Sequence, residues 1–199
     1  MELTGRLHVH ERTLAERFIT CSSRRKREVE PGNSSPDVGY SERRATPQRE
    51  RMLRDVVETD LPIFYEQQLD PTSTRMAAFP PREEWSVFLA HWKTKVLADP
   101  ANCAQTIVWN ERVAGYIASW SQEERRLIAY WIGREYWGRG IATAALAEFL
   151  GYERARPLHA FVAAHNVGSI RVLEKCGFVR IGGATTGPGE VDECLYRLG

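Results

Sequence analysis

The chain has 199 residues, 43% of them hydrophobic and 27% charged, with 27 Lys and Arg against 26 Asp and Glu. That length suits one domain with a substantial core, and a formal net charge of +1 gives no electrostatic reason to expect nucleic acid or an anionic membrane as partner. Cys21, Cys103, Cys176 and Cys194 stand too far apart to supply the close ligand pairs of a zinc site, so no metal is expected. No stretch approaches the roughly 18 uncharged apolar residues of a membrane span. Residues 1–20 carry charges throughout and lack the apolar segment of a secretion signal, which points to a reducing, cytoplasmic setting.

In chain order, residues 22–49 mix charges with Pro31, Gly32, Asn33, Pro36 and Gly39 and show no hydrophobic period. Such a segment cannot bury enough apolar surface to offset its ordering entropy. Residues 1–48 are therefore expected to be a flexible extension, and residues 49–199 the folded domain. The basic run Ser22–Arg27 is only a weak nucleic-acid motif.

A short strand is expected over Arg51–Val57 and a helix over Glu58–Leu69, with Pro62 in its first turn. Asp70–Thr74 reads as a turn. A second helix is expected over Arg82–Leu97, where Trp85, Phe88, Leu89, Trp92 and Val96 recur with amphipathic spacing. Ala104–Trp109 and Arg112–Trp120 read as a hairpin turned at Asn110-Glu111, Ser121–Arg126 as a polar loop, and Leu127–Ile132 as a central strand. Then come a helix over Ile141–Tyr152, a strand over Leu158–Ala163, a helix over Ser169–Cys176, and strands over Phe178–Ile181 and Asp192–Leu198. The alternation predicts one α/β (α+β mixed) domain, with right-handed crossovers and a largely parallel sheet covered by helices.

The most informative segment is Ile132–Thr143, IGREYWGRGIAT. An aromatic strand runs into a turn holding Gly138 and Gly140, and a helix follows from Ile141. Glycines adopt positive φ without a Cβ penalty, and the first helical turn offers unpaired N–H groups with partial positive charge. Together these make an anion site. The dinucleotide motif GxGxxG fails because Thr143 stands where the third glycine belongs, and the chain contains no Gly-Lys-Ser/Thr P-loop.

With these residues in place, the sequence resembles the GNAT acetyltransferase superfamily, and within it the branch of ribosomal-protein N-terminal acetyltransferase-like enzymes. The family signature Gln/Arg-x-x-Gly-x-Gly/Ala aligns on Trp137-Gly138-Arg139-Gly140-Ile141-Ala142, with Trp at the first position. A second block, from Asn166 and Ser169 to Lys175, Gly177 and Phe178, looks like the family's Asn-x-x-Ser…Lys-x-Gly-Phe stretch. The resemblance spans roughly residues 51–198. It implies a central twisted mixed sheet splayed at a cofactor cleft, with acetyl-CoA as co-substrate and no metal. The splayed strands would be Leu127–Ile132 and Leu158–Ala163, and Trp131 and Ile132 would face the cofactor. Backbone N–H groups of Gly138, Arg139, Gly140, Ala142 and Thr143, in a turn closed by Trp137 and Ile141, would hold the pyrophosphate. Asn166 would face the pantetheine or thioester, and is equally a favoured helix N-cap.

The implied reaction moves an acetyl group to a primary amine of a small molecule or a protein N-terminus. The family's usual acid, a Tyr, would fall at Leu173, so the resemblance shifts that role to Ser169, whose alternative reading is a helix cap. The strand Glu of the branch falls at Leu127. Glu66, Asp70, Glu84, Glu123 and Glu124 remain open as bases. Trp137 is expected to act through packing, and Cys176 to be a small buried structural residue. The acceptor would be framed by residues 60–85 and the hairpin near 110–120. The empty Tyr and Glu positions keep a second class open, a noncatalytic acyl-CoA-binding sensor or partner-binding module. Homodimerisation also stays open.

Overall fold

The computed structural model describes residues 51–78, 80–184 and 191–199, and the expectations for residues 1–50 lie outside these. Seven strands, β1 (Leu53–Asp55), β2 (Cys103–Trp109), β3 (Arg112–Gln122), β4 (Arg125–Ile132), β5 (Leu158–Ala163), β6 (Val179–Ala184) and β7 (Glu193–Leu198), form one sheet. Their order across it is β1-β2-β3-β4-β5-β7-β6. The helices are α1 (Leu61–Leu69), α2 (Pro71–Ala77), α3 (Trp85–His91), α4 (Ile141–Tyr152) and α5 (Val167–Lys175). No described helix is long and apolar enough to cross a membrane.

The expected largely parallel sheet is corrected. Only β4 and β5 run parallel; every other neighbouring pair is antiparallel. The reason lies in two tight turns. Asn110-Glu111 and Glu123-Glu124 both hold φ values of 48° and 62°, the left-handed pairs of a hairpin turn whose twist matches its strands. Polar composition made Ser121–Arg126 look like a loop. Instead Ser121 and Gln122 pair with Arg126 and Arg125, and only the two glutamates turn.

Asp70–Thr74 is a helix start rather than a turn. The Asp70 carboxylate accepts the Ser73 N–H at 2.7 Å and the Ser73 hydroxyl at 2.8 Å, and Pro71 occupies the first helical position. The expected 82–97 helix begins later, at Trp85, and widens to π-type geometry over Trp92–Val96.

α4 and α5 pack their apolar sides on one face of the sheet, where Ile117, Ile128, Leu146, Phe149, Val162 and Leu173 are buried. α1, α3 and the π-type turn after it cover the other face through Leu61, Phe64, Phe88 and Trp92, packed on Tyr116. Asp60, just before α1, is buried yet fully served. It receives Arg54 through Nη1 and Nη2 at 2.6 Å each, the Thr106 hydroxyl at 2.6 Å and the Val57 N–H at 3.0 Å. That set ties β1 to β2 and to the start of α1.

Candidate active site

The site is built where two neighbouring strands stop being neighbours. β4 and β5 pair only through Arg126 opposite Leu158 and Leu127 opposite His159. Beyond that point they diverge, and a cavity opens between Leu127–Trp131 and Ala160–Ala163, closed at its ends by Asn166, Ser169 and Glu193. On its other side β4 keeps an unbroken register with β3 to Ile132, so the opening arises without a bulge in that ladder. The expected splay of Leu127–Ile132 from Leu158–Ala163 is therefore present.

The vertex of the splay is pinned. Arg126 donates to Glu153 Oε2 through Nε at 3.0 Å and Nη2 at 2.6 Å, and to the Ala101 carbonyl at 2.7 Å. The Ser119 hydroxyl donates to the same carboxylate oxygen. Burial opposes the Glu153 charge, but these donors and the Ala155 N–H outweigh it and hold the carboxyl below its ordinary range.

Past the end of β4 lies the glycine turn, whose residues do not line the strand cavity. Gly138 and Gly140 hold φ of 74° and 75°, a region where other residues are strained. A Cβ at either position would meet nothing within 4 Å. Conformation and an open approach, rather than intramolecular crowding, are what the glycines supply. The first bond of α4 runs from Ala144 N–H to the Gly140 carbonyl at 3.0 Å, so the N–H groups of Ile141, Ala142 and Thr143 have no acceptor in the preceding turn. Arg139 is exposed beside them. The Ile141 side chain is 2% exposed and belongs to the core, so only its backbone can serve a ligand. Trp137 is 40% exposed. Its indole N–H donates to the Ile132 carbonyl at 2.8 Å, closing the turn onto the end of β4.

On the α5 side of the opening stand Asn166, Ser169 and Tyr130. Asn166 Oδ1 accepts the Ser169 N–H at 3.0 Å, which makes Asn166 the N-cap of α5 and explains why the helix starts at Val167 rather than Ser169. Ser169 is therefore capped, not a cap. Its hydroxyl lies 2.7 Å from the Tyr130 hydroxyl, which also donates to the Ser169 carbonyl at 3.2 Å. Burial pushes the Tyr130 phenol up, against the pull of its bond to Ser169. The phenol stays protonated, which suits it to orient a neighbouring hydroxyl and not to act as a base. Nothing in the sequence marked this pair, because the two residues stand 39 positions apart and only the fold brings them together. Leu173, one turn along, is buried at 1% exposure.

The other side of the opening belongs to α2. Ile128, Tyr130 and Ile132 point to the α4–α5 core, so by strand alternation Leu127, Ala129 and Trp131 point the opposite way. Trp131 thus offers its backbone, and not its ring, to the α5 side. Ala77 from α2, Trp120 and Glu193 line the cavity with it, and His165 anchors α2 through a 2.9 Å contact with the Arg75 carbonyl.

Leu127, at the position of the branch's strand Glu, is apolar and buried, and of the candidate bases Glu66, Glu84, Glu123 and Glu124 are exposed. Asp70 is engaged by Ser73 and by Arg134 at 3.6 Å. None of these carboxylates lines the cavity, whereas Leu127 does. Glu193, which does, was missed because its strand reads only as alternation. Cys176 is a free thiol 3.6 Å from the Thr143 carbonyl, pushed up by burial and so not activated. Among the described residues no group of three His, Cys, Asp or Glu gathers as metal ligands would.

Solved structures share this architecture. Spermidine N-acetyltransferase from Vibrio cholerae, in complex with CoA and spermine, matches with a TM-score of 0.61 at 17% identity, over 73% of this chain and 93% of its own. Aminoglycoside acetyltransferase AAC(6')-Ib in complex with coenzyme A matches with a TM-score of 0.56 at 20% identity, over 72% and 92%. A GNAT-family acetyltransferase from Bacillus anthracis matches with a TM-score of 0.58 at 19% identity, over 73% and 92%. At these identities the likeness is one of fold. No curated protein sequence matches significantly. The family model described as acetyltransferase (GNAT) domain matches residues 51–179, which takes in the splayed strands, the glycine turn and the Asn166–Ser169 cap, and the chain belongs to that family.

Proposed function

We propose that this protein transfers the acetyl group of acetyl-CoA directly to a primary amine, with both substrates bound together. The observation that carries the reading is the opening between β4 and β5, whose strands pair at two positions only and then leave the edge of β4 exposed beside the glycine turn. Extended amide-bearing ligands add to such an edge as another strand would. The N–H groups of Ile141, Ala142 and Thr143 and the left-handed Gly138 and Gly140 suit a pyrophosphate. The neighbours solved with CoA support the same cofactor. When bound, acetyl-CoA supplies a thioester as acyl donor.

The chain's own residues then divide the work. β4 and the capped start of α5 hold the reactants in line, which accounts for much of the rate in reactions of this type. The Tyr130 hydroxyl, 2.7 Å from Ser169 Oγ, orients the Ser169 hydroxyl, which would bond the departing thiolate. Asn166 fixes the helix turn that presents Ser169. The use of Ser169 where the family's Tyr position holds Leu173 follows the N-terminal acetyltransferase-like branch. A primary amine, small or at a protein N-terminus, would enter from the α2 side.

A noncatalytic acyl-CoA-binding module is the second reading, and it is favoured only by the apolar, buried Leu127 and Leu173. One experiment separates the two. Calorimetry should show acetyl-CoA binding, and thiol release from acetyl-CoA should accelerate when a panel of primary amines is added. Binding without amine-dependent release favours the second reading, and absence of binding removes both.

A further inference from the structure

On the sheet face turned away from α4 and α5, a buried imidazole stands between two exposed guanidinium groups. His159 is paired with Leu127 on β4 and lies directly across from Arg197 on β7. Leu158, Ala160 and Tyr196 belong to the α4–α5 core, so by strand alternation His159 and Arg197 point the other way, as does Arg125, two residues before Leu127. His159 is 8% exposed, and its Nδ1 has no partner among the described residues. A buried polar atom left unanswered is costly, and native structures answer nearly all of them. Arg125 and Arg197 are exposed. Neither makes an ion pair among the described residues, with Glu123 or Glu124 of the nearby turn, with Glu193 of β7 or with any other acid. Burial, and then the charges of Arg125 and Arg197, push the imidazole below its ordinary range, against the opposing pull of the Arg126 backbone. Beside Arg197 the face is open, since Val179 across from it is 65% exposed.

We infer that Arg125, His159 and Arg197 form a binding site for a phosphate group, separate from the glycine turn. Guanidinium groups grip phosphate through charge-assisted hydrogen bonds. A phosphate carries close to two negative charges at neutral pH, which matches the two arginines, whereas a carboxylate brings only one. The bound anion reverses the field on His159, so the imidazole takes up a proton. Both ring nitrogens are then donors, and Nδ1 gains the acceptor it lacks. Arg125 opens β4 and the glycine turn follows its far end, so about 23 Å of strand separates the two sites. The site backs onto the vertex of the opening, which Arg126 pins from the other face, and a bound phosphate adds a tie across β4, β5 and β7. This inference does not rest on the acetyl-transfer reading.

The test uses the full chain at constant ionic strength, with inorganic phosphate and glycerol 3-phosphate as probes and chloride as control. The His159 ring resonances, assigned by through-bond correlation to their own backbone, should move saturably with either phosphate and stay put with chloride. In saturating phosphate the His159 titration midpoint should rise. Tighter binding of glycerol 3-phosphate assigns the site to a phosphate monoester, and tighter binding of inorganic phosphate assigns it to the free ion. Arg125→Gln and Arg197→Gln change exposed positions, and each should weaken phosphate binding about 10-fold. Saturating CoA should leave the phosphate-induced shift in place, whether or not any amine is acetylated. A response to chloride equal to that to phosphate, undiminished binding in both arginine variants, or loss of the shift with CoA each overturns the inference. Should either variant fail to fold, the wild-type comparison of phosphate with chloride still decides it.

Discussion

Arg126 Nη2 lies 2.6 Å from Glu153 Oε2 at the last place where β4 and β5 remain hydrogen-bonded. The pair joins the end of α4 to the vertex of the opening, and the two side chains are 14% and 7% exposed. Removing one partner of such a pair strands the other, which costs on the order of 3 kcal/mol. Arg126→Ala should lose about that much in denaturant unfolding. Because the folded-state Glu153 carboxyl sits below its ordinary range, its contribution is present above the unfolded carboxyl's range and is lost as pH falls through the lower folded value. The melting temperatures of wild type and Glu153→Gln should therefore differ at neutral pH and converge in acid. A gap that persists at low pH would assign the effect to packing.

Gly140→Val places a β-branched residue at a φ of 75° and fills space that is open beside the start of α4. Acetyl-CoA affinity measured by calorimetry should fall at least about 10-fold, with a strain cost of roughly 1–2 kcal/mol in stability. Gly140→Ala should show most of the strain and less of the binding loss. Unchanged affinity in Gly140→Val would remove the turn from the cofactor site.

For Ser169 the structure sharpens the comparison. The cap of α5 is the Asn166 side chain bonded to the Ser169 backbone N–H, so Ser169→Ala keeps the cap and loses only the hydroxyl pair with Tyr130. Turnover should drop roughly 10- to 100-fold with little change in acetyl-CoA affinity or melting temperature. Tyr130→Phe should lower kcat in the same direction, and the double variant should be no worse than Ser169→Ala, since the two hydroxyls act as one unit. Asn166→Ala should instead cost about 1 kcal/mol in stability. Full kcat in Ser169→Ala would leave the thiolate without help from the chain.

Residues 49–199 are proposed to fold and bind cofactor without residues 1–48. Deleting the first 48 should leave the melting temperature nearly unchanged. A cut after Met52 should not be tolerated: its carbonyl accepts the Val108 N–H at 2.7 Å, its N–H donates to Glu148 Oε2 at 3.2 Å, and its side chain packs in the core. A large stability loss on deleting residues 1–48 would show that the extension packs on the domain.

The sequence by itself determined the elements whose signals are local. Apolar period placed α4, composition placed β4 and β5, and the positive-φ demand at Gly138 and Gly140 marked the turn between strand and helix. The order of two spaced motifs was enough to reach the family. What the sequence misjudged were segments where polarity and conformation disagree. Ser121–Arg126 is polar because it borders a two-residue turn, and it is strand because the β3–β4 ladder satisfies its backbone. Asp70–Thr74 has turn composition, which is also cap composition, and the Ser73 bonds decide for helix. The direction of the strands, the Tyr130–Ser169 pair, the Arg126–Glu153 pin and the placement of Trp131 and Glu193 on one side of the opening all join residues far apart in the chain. No local periodicity encodes such contacts. They are set by which face each strand turns to the core and by where β4 and β5 part, and those are properties of the packed sheet.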